Sequence, residues 1–369
     1  MIRVLHCVSN MDRAGIETML MNYYRNINRN EIQFYFLCNK EKPGSYDSEI
    51  KKLGGKIFHS PGLNPLKAFK YHKVVKNIMK ENKIDIVHVH NGAFGLQALI
   101  AAKAAGVKVR ISHAHGTKID INLKLPLKLL YKTQLRKFAN QYWGCGVEAI
   151  KYYYGNKIIE NHNYYLLTNA IDENKFKYDE SIRKKVRKEL AINHYEYLIG
   201  HIGRFMKQKN HIFLIDIFKE VVNRNKNFKL ILIGDGELQS LVKNKVNELN
   251  LNNNVIFTGN IPNTYEMYQA MDSFILPSLF EGLPVVGIEA QANGLNCLFS
   301  DTISTEVDIT GNITFMSLDT SVDKWADKII ELSRKKRNEI ISEIKDNNYS
   351  IKKETKKLEN KYKELLNKE

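Results

Sequence analysis

Short apolar runs alternate with stretches of helical period along the whole chain. In the first half, runs at 2–8, 32–38, 56–60, 85–90, 108–113 and 141–145 read as strands ending on small or polar residues. Between them, 15–28, 65–82, 93–105 and 126–140 carry apolar positions at helical spacing. Strand and helix in alternation predict a parallel, doubly wound sheet. The pattern restarts near residue 195. Strands are expected at 197–203, 228–233, 255–258, 273–276 and 297–300, with helices at 208–224, 236–250, 263–271 and 286–293. Two Rossmann-like units are therefore expected, each with its ligand site outside the carboxyl ends of its strands. Neither half has a full GxGxxG after its first strand, which argues against a dinucleotide-dependent dehydrogenase. The stretch 152–169 lacks clear periodicity and reads as including the interdomain connection. The tail, 321–369, reads as helices rich in Lys and Glu, and its last helix has too few apolar anchors to stand alone.

Composition narrows the class. A length of 369 residues suits two domains, and 43% apolar with 26% charged residues is ordinary for a globular chain. No apolar run approaches the roughly 20 residues a membrane span needs, and the apolar N-terminus is too short for a secretory signal, so a cytoplasmic protein is expected. Cys7, Cys38, Cys145 and Cys297 form no CxxC or zinc pattern and read as buried thiols.

Net charge is +16 and is unevenly placed. Residues 1–150 hold 24 Lys and Arg against 10 Asp and Glu, whereas the remaining 219 hold 32 against 30. A basic half points to an anionic partner. Lys67, Lys70, Lys73, Lys76, Lys80 and Lys83 fall on one helix face, and Lys124, Lys128, Lys132 and Arg136 form a second stripe. Such helices suit an anionic membrane surface. No RRM, KH or helix-turn-helix pattern appears, and the stripes lack interleaved aromatics, so nucleic acid is not the expected partner.

Four segments carry chemistry. In Pro277-Ser278-Leu279-Phe280-Glu281-Gly282-Leu283-Pro284-Val285-Val286-Gly287-Ile288-Glu289, a strand leads through a turn into a helix. Glu281 and Glu289 present two carboxylates from different elements, suited to accepting hydrogen bonds from sugar and ribose hydroxyls. In His201-Ile202-Gly203-Arg204-Phe205-Met206-Lys207-Gln208-Lys209, Arg204 and Lys209 follow a strand and suit a diphosphate, with Lys207 a weaker candidate. Met11-Asp12-Arg13-Ala14-Gly15 is a turn entering a helix whose N-terminus favours anions. Ser112-His113-Ala114-His115-Gly116-Thr117 ends a strand, as does His90.

Together these segments resemble glycosyltransferase family 4. Glu281 to Glu289 looks like its Glu-x7-Glu motif, and Gly203-Arg204 with Lys209 its Gly-Arg-x4-Lys pattern. Lesser likenesses are His115-Gly116-Thr117, Asn169-Ala170-Ile171-Asp172, Gly234-Asp235-Gly236 and Thr258-Gly259-Asn260-Ile261-Pro262. The chain departs from the family in having Ala14-Gly15 for Gly-Gly and Gly294-Leu295-Asn296 for Gly-x-Pro. Residues 15–25 and 302–307 are similar to a bacterial subgroup that makes capsular or extracellular polysaccharide.

The resemblance implies a GT-B fold, two Rossmann-like domains facing across a central cleft. It implies an acceptor-binding domain at 1–168, a nucleotide-sugar domain at 169–350, and a final helix at about 351–369 packed back on the first. The implied activity is retaining hexosyl transfer from a nucleotide-diphosphate sugar, a UDP-sugar by family habit, to a glycan or lipid-linked hydroxyl. His115, Arg204, Lys209 and Glu281 would be catalytic. Gly15, Gly203, Asn260, Gly282, Leu283, Pro284, Val285 and Glu289 would bind the donor. No cofactor is implied, and the lack of an Asp-x-Asp pair in the expected place leaves a metal unnecessary. A nucleotide-sugar 2-epimerase of the same fold and a catalytically silent partner subunit are the alternatives.

Overall fold

The computed structural model describes residues 1–63, 65–116, 125–337 and 348–367. Of the residues singled out above, Thr117 and Lys124 lie outside this set. The chain forms two units, Met1–Ala170 with Ile351–Glu369, and Ile171–Ser350.

The first unit is a seven-stranded parallel sheet. Its strands are β1 (Ile2–Val8), β2 (Ile32–Cys38), β3 (Lys56–His59), β4 (Ile86–Val89), β5 (Val109–Ala114), β6 (Gln141–Gly144) and β7 (Tyr165–Leu166), in the order β3-β2-β1-β4-β5-β6-β7. The chain reverses its direction of growth between β1 and β4. Helices cover both faces, so β2 is buried at every position and reads as a continuous apolar run. On one face Val4, Phe34, Phe36 and Trp143 pack under the helices Gly15–Asn26 and Ile351–Asn367. On the other, Leu5, Cys7 and Leu37 meet Tyr71, Val75 and Met79 of the helix Ala68–Glu81.

The terminal helix Ile351–Asn367 is anchored on this unit by polar as well as apolar contacts. Tyr362 is fully buried and stacks on Trp143 with ring centroids 5.6 Å apart. The Asn28 amide donates to Glu359 at 2.7 Å, and Lys363 pairs with Glu31 at 2.7 Å.

The second unit holds six parallel strands: β8 (Tyr197–Ile202), β9 (Phe228–Ile233), β10 (Val255–Gly259), β11 (Ser273–Leu276), β12 (Asn296–Ser300) and β13 (Ile313–Met316), ordered β10-β9-β8-β11-β12-β13. The reversal falls between β8 and β11. A helix at Glu180–Glu189, absent from the sequence reading, is capped by Asp179, which accepts from the Ser181 and Ile182 amides. Its Arg183 and Arg187 both pair with Asp272 ahead of β11.

Two sequence expectations change. The stretch 152–169 is not mere connection: it ends one helix, holds another at Asn156–Glu160, and supplies the edge strand β7. The Gly294-Leu295-Asn296 turn needs no proline. The helix Val285–Ala292 ends with Gly294 at φ 75°, and the Leu295 amide donates back to the Ala290 carbonyl at 3.1 Å. Asn296 is already the first residue of β12.

All four cysteines are buried and unpaired by disulfide. Among the described residues no helix is long and apolar enough to cross a membrane.

Candidate active site

The reversal between β8 and β11 leaves a crevice at the carboxyl ends of the second sheet, where open α/β sheets bind ligands. After β8 the chain runs through Gly203 and Arg204 to a short 3-10 turn, Lys207–Lys209. After β11 it runs through Ser278 to Glu281 and Gly282 and into the helix at Val285. Two hydrogen bonds join these loops: the Leu279 amide donates to the Gln208 carbonyl at 2.8 Å, and Gln208 Nε2 to the Phe280 carbonyl at 2.9 Å.

The joint brings Lys209 Nζ to 2.6 Å from Glu281 Oε1, with the two side chains only 14% and 12% exposed. Ser278 Oγ donates to the same carboxylate at 3.2 Å. Ser300 and Thr302 hydroxyls, from the end of β12, donate to the Ser278 carbonyl and hold the loop from behind. Lys209 and Glu281, expected to serve phosphate and sugar separately, are thus one ion pair here. Arg204 is exposed and has no carboxylate partner among the described residues.

Backbone shape fixes the cationic loop. A Cβ on Gly203 would sit 3.1 Å from the Lys209 Cδ and Cε atoms, so the lysine arm lies across this glycine. Gly234 and Gly236, at φ 138° and 159°, press on Gly203 and Phe205, where any side chain would strike backbone oxygen within 2.5 Å. The Phe205 amide donates to the Asp235 carbonyl at 3.0 Å and the Leu238 amide returns to Phe205. Gly282 and Gly15 are different: an added Cβ would meet nothing within 4 Å. The fold does not require glycine at either place, and the space before each is open to a ligand.

Pro284 is the N-cap of the helix Val285–Ala292, whose first amides lack partners within the helix and attract negative charge. Leu283 lies in the turn before it. Glu289, further along, is buried and accepts from Tyr268 Oη at 2.8 Å. Burial pushes its carboxyl up to about 7, opposed by the Tyr268 hydrogen bond. Tyr268 had no place in the sequence reading. Asn260 is exposed just past β10, two strands from β8.

The first unit places its candidates likewise beyond strand ends. Gly15 opens the helix after β1, at the reversal point of that sheet. His115 stands just past β5, half-buried, and Nε2 lies 2.8 Å from His90 Nδ1. Burial lowers its pKa to about 3, so it is neutral at physiological pH. His113 is fully within the core against His88, consistent with a structural part. His6, His88 and His90, and again His90, His113 and His115, bring ligand atoms within 4.8 Å of one another, a spacing that a metal ion could use. His90, common to both groups, already has its two ring nitrogens in hydrogen-bond contact with His6 Nδ1 at 3.0 Å and His115 Nε2 at 2.8 Å.

Fold and site geometry define the class as an α/β protein of GT-B type. The structure of HepE from Anabaena in complex with UDP and glucose superimposes with a TM-score of 0.80 over 98% of this chain and all of that one, at 16% identity. WaaG, a glycosyltransferase of lipopolysaccharide biosynthesis, superimposes with a TM-score of 0.67 over 99% of this chain. The family follows from sequence. Residues 182–351 match the model for glycosyl transferases group 1, and residues 13–145 that for Glycosyltransferase Family 4. A Bacillus subtilis protein named as a glycosyltransferase, EpsF, is 36% identical over 332 residues, covering 89% of this chain and 86% of that one. The capsular polysaccharide biosynthesis glycosyltransferase CapH of Staphylococcus aureus is 27% identical over 91% of this chain and 92% of its own length. An Escherichia coli UDP-Gal:alpha-D-GlcNAc-diphosphoundecaprenol alpha-1,3-galactosyltransferase is 31% identical over 61% of this chain and 59% of its own length. This chain belongs to glycosyltransferase family 4.

Proposed function

We propose that this enzyme moves a hexosyl group from a UDP-sugar to a hydroxyl of a glycan or lipid-linked acceptor, with retention of configuration, in bacterial surface polysaccharide synthesis. The observation that carries the reading is the Lys209–Glu281 pair at the β8/β11 crevice, on the same loop as an exposed Arg204 that has no carboxylate partner among the described residues. Arg204 and Lys209 face the diphosphate and stabilise the charge that grows on it as the glycosidic bond breaks. Glu281 accepts hydrogen bonds from sugar hydroxyls, Glu289 from ribose, and His115 bonds a sugar oxygen. The amides from Gly282 to Val285 lie toward sugar and phosphate. Gly15 leaves backbone open to the donor, Gly203 makes room for the Lys209 arm that reaches the diphosphate, and Asn260 borders the donor.

The acceptor oxygen attacks C1 on the face that the leaving group departs. The C1–oxygen bond to the β-phosphate breaks, the new C1–oxygen bond forms, and the acceptor proton passes to the departing phosphate. Nothing in this scheme calls for a metal, because fixed cations and helix N-termini supply the positive charge. The named relatives support the donor and setting: one is named for a UDP-galactose donor and a diphosphoundecaprenol acceptor, another for capsular polysaccharide. Calorimetric titration of UDP and GDP in EDTA tests the donor site. UDP is expected to bind in EDTA more tightly than GDP, and binding that appears only with Mg²⁺ or Mn²⁺ would overturn the metal-independent scheme.

The basic first unit fits a membrane-borne acceptor. Leu66 and Phe69 are 95% and 86% exposed, beside exposed Lys67, Lys70 and Lys73. Leu129 and Leu130 are exposed on the helix Leu125–Phe138, which carries Lys128, Lys132 and Arg136. Apolar tips among lysines are the composition of a helix that rests on anionic lipid. Lys132 itself lies over the Tyr152 ring at 3.8 Å. We expect sedimentation with phosphatidylglycerol vesicles that falls with salt and is largely lost in a Leu66→Asp/Phe69→Asp variant. Equal binding by the variant would sink this docking mode.

A further inference from the structure

Five histidines share one face of the first sheet. Alternation puts His88 with His90, and His113 with His115, on the same side, and the register sets His6 opposite His88. They form two hydrogen-bonded runs. In one, Tyr362 Oη lies 2.8 Å from His88 Nδ1, and His88 Nε2 lies 3.0 Å from His113 Nδ1. In the other, His115 Nε2 meets His90 Nδ1 at 2.8 Å, and His90 Nε2 meets His6 Nδ1 at 3.0 Å.

The second of these runs has a defined end. His6 Nε2 is buried with no hydrogen-bond partner among the described residues, and the Phe34 and Phe36 rings lie against the imidazole. Burial holds all three histidines of the run neutral. A neutral imidazole has one N–H and one bare nitrogen. Each contact needs one donor and one acceptor, so only two proton arrangements satisfy both. In one, every Nδ1 is protonated: His6 donates to His90, His90 donates to His115, and His115 keeps an Nδ1–H. In the other, every Nε2 is protonated, and the run ends in a buried His6 N–H with no acceptor. Orphaned buried N–H groups are rarer than unmet acceptors, which favours the first arrangement.

We propose that His6 and His90 are positioning residues that hold His115 in its Nδ1–H tautomer, so that His115 meets the substrate as a neutral hydrogen-bond donor to an oxygen lone pair. This rests on the reading of His115 as a substrate-facing group. A ring held in this state does not take a proton from the acceptor hydroxyl. It directs an N–H at a sugar or phosphate oxygen, and the sheet interior enforces that direction through two hydrogen bonds.

The test is long-range ¹H–¹⁵N correlation on full-length protein labelled with ¹⁵N-histidine, with His115 assigned by its loss in His115→Gln. The expected spectrum shows His115 with a protonated Nδ1 and a bare Nε2. A predominant Nε2–H form would overturn the proposal. His6→Met puts a weak acceptor with no N–H in the place of the terminal donor, so that His90 Nε2–H gains a partner; it is expected to populate the other tautomer, with kcat reduced roughly three- to tenfold. His6→Asn, which sets an amide N–H near the lost Nδ1–H, is expected to restore both. An unchanged His115 tautomer in folded His6→Met would also overturn it. The wild-type spectrum decides the matter even if that variant fails to fold. If His115→Gln retained full activity while the tautomer was as expected, the substrate-facing reading alone would fall.

Discussion

Replacing Arg204 by alanine is expected to lower kcat/KM about a hundred- to a thousandfold, the usual loss when a preorganised charge is removed from a developing anion. The melting temperature should barely move. Arg204 is exposed, and among the described residues it has no carboxylate to hold, so the fold loses nothing when the side chain goes. Its place, two residues past β8 at the strand reversal, has value only to a ligand. Arg204→Lys should recover part of the loss, because an ammonium restores charge but not the two-pronged guanidinium geometry. Steady-state kinetics beside thermal melts check this. A large drop in melting temperature would make Arg204 structural, and unchanged kinetics would remove it from the site.

The Lys209–Glu281 pair should behave differently, since it serves both fold and chemistry. Lys209→Met leaves a carboxylate that is mostly hidden from water, and Glu281→Gln leaves a mostly hidden ammonium. Each is expected to destabilise the second unit by roughly 2–3 kcal/mol, less than for a fully buried pair. The double variant should regain much of that stability, because no unmatched charge remains. Activity should not return: each single variant and the double are expected to lose at least about a hundredfold in kcat/KM. Stability coupled across the pair, with activity lost throughout, is the signature of a structural ion pair built from two substrate-binding groups. If the double variant were both stable and active, the pair would be scaffolding only.

Strands were legible wherever burial on both faces made the run continuous. β1, β2, β9 and β11 begin and end where the apolar runs do. β7 was not, because two residues at a sheet edge make no pattern, and Leu166 is exposed. The Glu180–Glu189 helix was hidden by its charge: Ile182 and Val186 are its few apolar residues, although Asp179 ahead of it is a readable cap. Site residues were legible as types at strand ends. Their meeting was not. Lys209 and Glu281 stand 72 residues apart and touch because β8 lies beside β11, an order that no local signal encodes. The histidine runs were half legible. His88-Val89-His90 and His113-Ala114-His115 each announce one face by alternation, but joining them to His6 requires β1, β4 and β5 to be neighbours. Tyr268, the partner that reaches Glu289 from another helix, carried no sequence signal at all.

The central claim is sugar transfer with retention at the β8/β11 crevice. Its most direct measurement is ¹H NMR of the reaction of an α-linked UDP-sugar with a lipid-linked acceptor. Expected is acceptor-dependent loss of the donor's anomeric signal, release of UDP, and a new anomeric signal with α coupling. A β-linked product, or donor consumed at the same rate without acceptor, would contradict it.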